Sequence, residues 1–500
     1  MRIRITHGRI EEIASEIMAI GIFEEEKRLK GRLQAIDKKL KGMISTAIKQ
    51  GDFKGKFRQI HVLPTQRLIP AKRVLLIGLG KKKKFKLEKL RQAAGTVARY
   101  IKAKALSNIS TIIYGKDVLG APFDEMAQAM TEGILLSLYE LTRFKTEKDK
   151  EKKEIKEISL VEEEKRNIPK IKEGLKRGQI LSEATNLTRE LVAYPSNEAT
   201  PTFLANKAKE IAKKHHLKCK VMDRAEIKRL GMNAFLGVAK GSVEPPKFII
   251  LEYKPKKKNP DTIVLVGKGV TFDSGGITLK PGLNMHEMKE DMGGAAAVLG
   301  AMKAAAELGL SQRIVGLVPA TENLPSGSAL KPGDILKSYS GKTIEVLNTD
   351  AEGRLILCDA LAYAARYKPK AIIDIATLTG ACEIALGNFA SGIMGNDEKL
   401  MARLKEAGNI TGERIWELPL WEEYDELIKS DIADIKNVGG RAGGAITAAA
   451  FLKKFVEKKP WVHIDIAGTV WTKKDKPYIS KGPTGIGVRL FIEFLRKWGK

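Results

Sequence analysis

The side chains of this chain best suited to chemistry are carboxylates in three short segments. They are Asp273 in GKGVTFDSGGITLK (267–280), Asp291 in KEDMGGAAAVLGAM, and Asp350 with Glu352 in LNTDAEGRLIL. Each has an ordinary explanation when taken alone. Asp273 opens a turn through Ser274, Gly275 and Gly276, and Asp291 stands where an N-cap would serve the glycine- and alanine-rich helix that follows. Asp350 and Glu352 are two apart, and in extended chain that spacing sends both side chains the same way. Two carboxylates facing one point repel unless a cation lies between them. Together the four suit a pair of divalent ions bridged by carboxylate oxygens and a water, and oxygen-rich ligation admits Mn²⁺ or Mg²⁺ as well as Zn²⁺. The six histidines show no HExxH spacing, so the commonest zinc-protease signature is excluded.

These residues need elements that bring them together. The C-terminal part alternates strand-like segments (KFIILEY, TIVLVGKG, RIVGLVPA, AIIDIATL, VHIDIAG) with helix-like ones (GGAAAVLGAMKAAAELG, LILCDALAYAARY, AITAAAFLKKFVEKK). Apolar strands interleaved with helices predict a mixed, largely parallel sheet sandwiched between helices, whose ligand site lies at the carboxyl ends of its strands. Lys268 follows TIVLV, and Asp350 follows KTIEVL, so the polar residues fall at such ends. The first 165 residues alternate too and predict a smaller α/β domain. Its strands are RIRIT, RVLLIGLG and TIIYG (111–115), and KLEKLRQAAGTVARYIKAKAL is a helix. The pair Gly78 and Gly80 lacks the third glycine of a dinucleotide fingerprint and is followed by four lysines, so that reading is rejected. The mixed-charge stretch 145–176 marks a boundary, and Ile171, Leu175, Leu181, Ala184, Leu187 and Leu191 trace one helical face. The expected division is a basic N-terminal domain over 1–165, a linking helix over 166–192 and a catalytic domain over 193–500.

GKGVTFDSGG, ITLK, DMGGAA and NTDAEGRL, in this order, resemble the signature of the leucyl (cytosol) aminopeptidases, two-metal enzymes. NTDAEGRL is the most specific of these segments. The resemblance continues through ATLTGA (376–381), 435–440, AGGAITAAAFL and HIDIAG (463–468), and so covers essentially all of 180–500. It implies a metalloaminopeptidase that releases N-terminal residues, Leu and other apolar ones preferred, from small peptides. It implies that Lys268, Asp273, Asp291 and Glu352 hold one metal and that Asp273, Glu352 and Asp350 hold the second, with Mn²⁺ or Zn²⁺ as the ions. Lys280 then matches the catalytic lysine facing the oxyanion. Arg354 matches the arginine that holds a bicarbonate, the general base for the metal-activated water. A lysine ligand must be neutral, which an adjacent dication would favour. Asp291 also meets the substrate's amino group; Met288, Thr377, Gly380, Ala467 and Val470 match the side-chain pocket, and Leu378 offers its carbonyl. The family's assembly is a homohexamer. His463, in an apolar context, reads as a satisfied core histidine, and Cys358 as a small buried apolar residue. A phosphoesterase would use the same two-metal carboxylate chemistry, and only the resemblance favours peptide hydrolysis over it.

The bulk numbers agree with an enzyme of two or three domains. The chain has 500 residues, 43% apolar and 30% charged, with no uncharged apolar run of about 18 or more and no signal-peptide pattern, so no membrane segment is expected. Three scattered cysteines (Cys219, Cys358, Cys382) make no disulfide framework, which points to a reducing, cytoplasmic setting. The net charge of +28 is uneven: residues 1–180 hold 41 Lys and Arg against 23 Asp and Glu. A lysine-rich solvated surface is the plain reading. Nucleic acid bound through 81–84 and FKGKFR (53–58) is the alternative, although no nucleic-acid motif accompanies them.

Overall fold

The computed structural model describes residues 1–146 and 155–499. Part of the charged boundary stretch, 147–154, lies outside the described residues. The chain divides into two compact units, Met1–Glu183 with Asp475–Ser480, and Ala184–Lys474 with Lys481–Lys500. The helix Ile168–Ala193 runs through the point of division. The return of 475–480 to the first unit was not legible in the sequence. It rests on contacts such as Tyr478 against Gly95, where a Cβ would meet the tyrosine at 2.7 Å.

The first unit is a six-stranded sheet in the order Arg2–His7, Glu157–Glu162, Asn108–Thr111, Ile17–Phe23, Arg73–Gly80, Ile60–Pro64. All its pairings are parallel except the last. Strand alternation sends Met18, Ile20 and Ile22 to one face with the helices Gly31–Lys39 and Met43–Gln50. Ala19, Leu75 and Ile77 go to the other, with Leu87–Ala103 and Phe123–Ser137. The segment expected as a strand over 111–115 leaves the sheet after Thr111. Gly115 at φ +63° opens a short helix there, and the Tyr114 hydroxyl meets Thr111 Oγ1 at 2.8 Å. Gly78 serves packing: a Cβ on it would lie 1.9 Å from the Lys56 carbonyl. In the FKGKFR segment Phe53 is fully buried and Arg58 donates to Thr96, so that segment is partly turned inward.

The second unit carries a nine-stranded sheet. Its centre is parallel: Trp461–Asp465, Ala371–Ala376, Thr262–Gly267 and Arg313–Asn323. Lys247–Tyr253 joins antiparallel on one side and Ser391–Gly395 on the other. Thr262–Gly267 is buried along its whole length, as a central strand covered on both faces must be. Helices Gly293–Leu308 and Glu352–Ala364 cover the two faces close to the strand ends. Gly294 lets the first of them approach: a Cβ would lie 2.1 Å from the Ile375 carbonyl. The short strand Gly269–Asp273 extends the sheet beside Arg313–Asn323 through an irregular register between Val270 and Asp273.

Candidate active site

Lys268 leaves the end of the central strand and its side chain is buried at 3% exposure. Its Nζ lies 2.8 Å from Asp291 Oδ1 and 2.7 Å from Glu352 Oε1, and donates to the Thr377 carbonyl at 2.9 Å. Gly353 makes room for it, since a Cβ there would come within 2.7 Å of Nζ. Lys280 reaches the same cluster from the opposite side, 2.9 Å from Asp273 Oδ2 and 2.5 Å from Asp350 Oδ1. One carboxylate oxygen from each of Asp273, Asp350 and Glu352 lies within 4.8 Å of the others. Lys268, Asp273, Lys280, Asp291, Asp350 and Glu352 therefore meet.

The geometry differs from the sequence expectation in two places. Asp291 does not N-cap the following helix, whose N-cap is Met292; it ends the turn Met285–Glu290 and accepts from Thr377 Oγ1 at 2.7 Å. Asp350 and Glu352 converge although the chain between them is not extended. Asp350 is held in a turn by the Asn348 side chain, and Glu352 is the first residue of its helix.

The electrostatics are those of crowded acids. Burial, then Lys268 working against Glu352 and Asp273, leaves the Asp291 carboxyl well above the usual carboxylate range. Burial and Asp273 raise Asp350 and Glu352 as well. Burial pulls the two lysines down, but the surrounding carboxylates outweigh it and hold both ammoniums above the ordinary lysine value. Asp291 Oδ2 is buried without a hydrogen-bond donor among the described residues. At Asp350 Oδ1 and Glu352 Oε1 the ammoniums come close without hydrogen-bonding geometry. Arg354 is buried, its Nη1 donates to the Asn437 carbonyl at 2.8 Å, and its Nε has no partner among the described residues. Burial lowers its pKa to about 10, against Glu352 and Asp465.

The remaining expected residues fall around this cluster unequally. Thr377 touches Asp291 directly. The Leu378 N–H donates to Asp465 Oδ1 at 3.2 Å, and no donor among the described residues reaches its carbonyl. Met288 and Ala467 are half-buried and Gly380 is exposed, while Val470 is buried against Gly293, where a Cβ would lie 2.5 Å from it. Two residues escaped the sequence reading. Asn323 donates to Asp273 Oδ1 at 2.8 Å and to the Thr349 carbonyl at 3.0 Å, tying the two segments together. Asp465 accepts from Leu378 N, Thr379 Oγ1 and Ala467 N. Both end strands of the parallel centre, which is the signal that could have found them. His463 is buried as expected but only half satisfied: Nδ1 meets Asp374 at 2.5 Å, and Nε2 has no partner among the described residues.

The family model of the cytosol aminopeptidase family's catalytic domain matches residues 186–492, and that of its N-terminal domain matches 19–148. The chain belongs to the cytosol aminopeptidase family. Its relatives include a probable cytosol aminopeptidase of Geotalea uraniireducens, 51% identical over 462 residues and 92% of each chain. Another, of Alkaliphilus oremlandii, is 43% identical over the whole of both. Among solved structures it is similar to a variant of tomato leucine aminopeptidase, with a TM-score of 0.89, 35% identity and 99% and 96% of the two chains covered. It is also similar to the bottromycin maturation enzyme BotP in complex with Mn, with a TM-score of 0.84, 33% identity and 97% and 100% covered. The protein is a metal-dependent aminopeptidase.

Proposed function

We propose that Lys268, Asp273, Asp291, Asp350 and Glu352 hold two divalent ions, Mn²⁺ or Zn²⁺, at which the first residue is removed from small peptides. The observation that carries this reading is the cluster itself: carboxylate oxygens of Asp273, Asp350 and Glu352 within 4.8 Å, and a buried Asp291 Oδ2 without a donor. Such a set is costly in a protein interior without cations, and its oxygen donors with one amine fit such ions. When bound, the ions supply Lewis acidity toward the peptide carbonyl and lower the pKa of water.

The chain's own groups do the rest. Asp291 accepts the substrate's α-amino group, which restricts cleavage to the first peptide bond. Lys280, exposed enough to meet substrate, presents its ammonium to the oxyanion as the carbonyl carbon becomes tetrahedral. Lys268 binds as the free amine, its proton displaced by the ions' positive charge. Arg354 keeps donors for an anion such as bicarbonate, supplying a base that a guanidinium cannot be. Met288, Thr377, Gly380, Ala467 and Val470 line the place of the first side chain, with Leu-like residues preferred, and the Leu378 carbonyl accepts from substrate. The relatives' names support a cytoplasmic setting, and the family resemblance a homohexamer; light scattering that returned the mass of one chain would remove the latter.

The test is hydrolysis of leucine-p-nitroanilide by metal-stripped protein with Mn²⁺, Zn²⁺ or Mg²⁺ restored, alongside bound metal counted by mass spectrometry. Two ions per chain and restored turnover are expected. Lys280→Met should keep both ions and lose about 10²–10³-fold in kcat. Full turnover in Lys280→Met, or two ions retained by a variant lacking Asp273, Asp350 and Glu352, would overturn the assignment.

A further inference from the structure

Lys280 stands on a loop that packing does little to hold. Ile277 and Leu279 on its near side are exposed, and so are all four residues 281–284 beyond it. The place of its backbone is therefore set by hydrogen bonds. One of them is its own: Lys280 N donates to the Ser274 carbonyl at 2.9 Å, and Ser274 is fixed in turn by its N–H and its hydroxyl, both donating to the Asn323 carbonyl. The others come from one residue on the facing segment. Thr349, buried at 1% exposure, accepts the Thr278 N–H on its hydroxyl at 2.8 Å. The same hydroxyl donates to the Gly275 carbonyl at 2.7 Å, and the Thr349 N–H donates to Thr278 Oγ1 at 3.2 Å.

These three bonds join a point two residues before Lys280 to a point one residue before Asp350, and the two side chains then meet at 2.5 Å. Gly276, at φ +68°, makes the approach possible: a Cβ there would lie 3.0 Å from Thr349 Oγ1. The hydroxyl works as donor and acceptor at once, which a side chain of the same shape without oxygen cannot do. Valine at 349 would fill the same space and leave the Thr278 N–H and the Gly275 carbonyl without this partner. A loop freed in this way lets the lysine backbone drift, and a misplacement of about 1 Å is enough to cost turnover at a reacting centre.

We propose that Thr349 is a positioning residue for catalysis, fixing the Lys280 loop against Asp350 so that the ammonium meets the oxyanion; this rests on the oxyanion role of Lys280. The test is leucine-p-nitroanilide hydrolysis by the metal-loaded protein, with bound metal counted and hydrogen exchange followed across 275–283. Thr349→Val should lose about 10- to 100-fold in kcat, keep KM within about twofold, retain both ions and exchange faster across the loop. Thr349→Ser, which keeps the hydroxyl, should return to within about threefold of wild type. Thr349→Val added to Lys280→Met should cost little more than Lys280→Met alone, because both remove the same interaction. Wild-type kcat in Thr349→Val, additive losses in the double variant, or Thr349→Ser as slow as Thr349→Val would overturn the proposal. Loss of an ion from Thr349→Val would overturn it too, by placing the role of Thr349 in the metal site. Should Thr349→Val fail to fold, the half-buried Thr278→Ala decides: a smaller loss of kcat is expected, and wild-type kcat with unchanged exchange overturns the link. Full turnover in Lys280→Met would instead remove the oxyanion role itself.

Discussion

Asp465 accepts two hydrogen bonds from the segment after Thr377, from Leu378 N and Thr379 Oγ1, and a local one from Ala467 N, yet it touches neither lysine of the site. Its influence runs through Thr377, whose carbonyl receives Lys268 and whose hydroxyl donates to Asp291. Asp465→Asn keeps the size but removes the charge and one acceptor. Turnover of leucine-p-nitroanilide should fall on the order of 10- to 100-fold with both metals still bound; an unchanged kcat would show that this segment positions itself without Asp465. Arg354 is the second residue whose context matters more than its type. Among the described residues Arg354 Nη1 bonds a backbone carbonyl and Nε meets no acceptor, so Arg354→Ala should lose activity that added bicarbonate cannot restore, whereas wild type should respond to bicarbonate. Equal bicarbonate responses in both proteins would refute its role. The acidic residues were legible because carboxylates in short glycine-bearing segments are rare at strand ends. Asn323 and Asp465 also end strands of the parallel centre, but their partners, Asp273 and Thr349 for one and Leu378 and Thr379 for the other, are set by packing that local spacing does not record.

The helices that cover the sheet do so through very close approaches. Gly294→Ala would drive a methyl into the Ile375 carbonyl and toward Lys268 N. A loss of about 1–3 kcal/mol in unfolding free energy is expected, with a larger loss of metal affinity than of stability elsewhere in the unit. A denaturant midpoint equal to wild type would show that the helix can shift. Asp359, inside the helix Glu352–Ala364, is a buried acid whose carboxyl accepts the N–H groups of Phe235 and Tyr339. Burial raises its pKa from 3.8 to about 7. A raised folded pKa means the folded state binds more protons, so its favourable contribution is complete below about pH 4 and is lost as pH rises through 7. Wild type should therefore lose ground to Asp359→Asn between pH 5 and pH 8, by up to a few kcal/mol, approximately. Parallel stability curves across that range would contradict the shift. Element identity was readable here from apolar periodicity; the exception at 111–115 arose because an apolar run with an αL glycine at its end reads like a strand.

At the scale of the whole molecule, the acidic cluster of the second unit brings like charges close together. Four acids and two lysines meet there, Lys268, Asp273, Asp291 and Glu352 buried and Lys280 and Asp350 half-buried. Removing divalent ions by chelation should lower the melting temperature of this protein, and restoring Mn²⁺ should raise it again in proportion to the logarithm of its concentration. A melting temperature blind to chelator would mean that the lysine pairs stabilise the apo cluster as well as metal does. The uneven charge belongs to this scale too. Much of the +28 lies in the first 180 residues.

By itself the sequence determined the residue types, the alternation of strand and helix in both halves, and the family motifs, because these depend on side chains a few positions apart. Only the tertiary structure decided which atoms meet. Asp291 belongs to Lys268 and Thr377 rather than to its own helix, Asn323 joins Asp273 to Thr349, and 475–480 returns to the first unit. Those contacts join residues from tens to hundreds of positions apart, and their geometry is set by how sheets and helices pack, which no local spacing records.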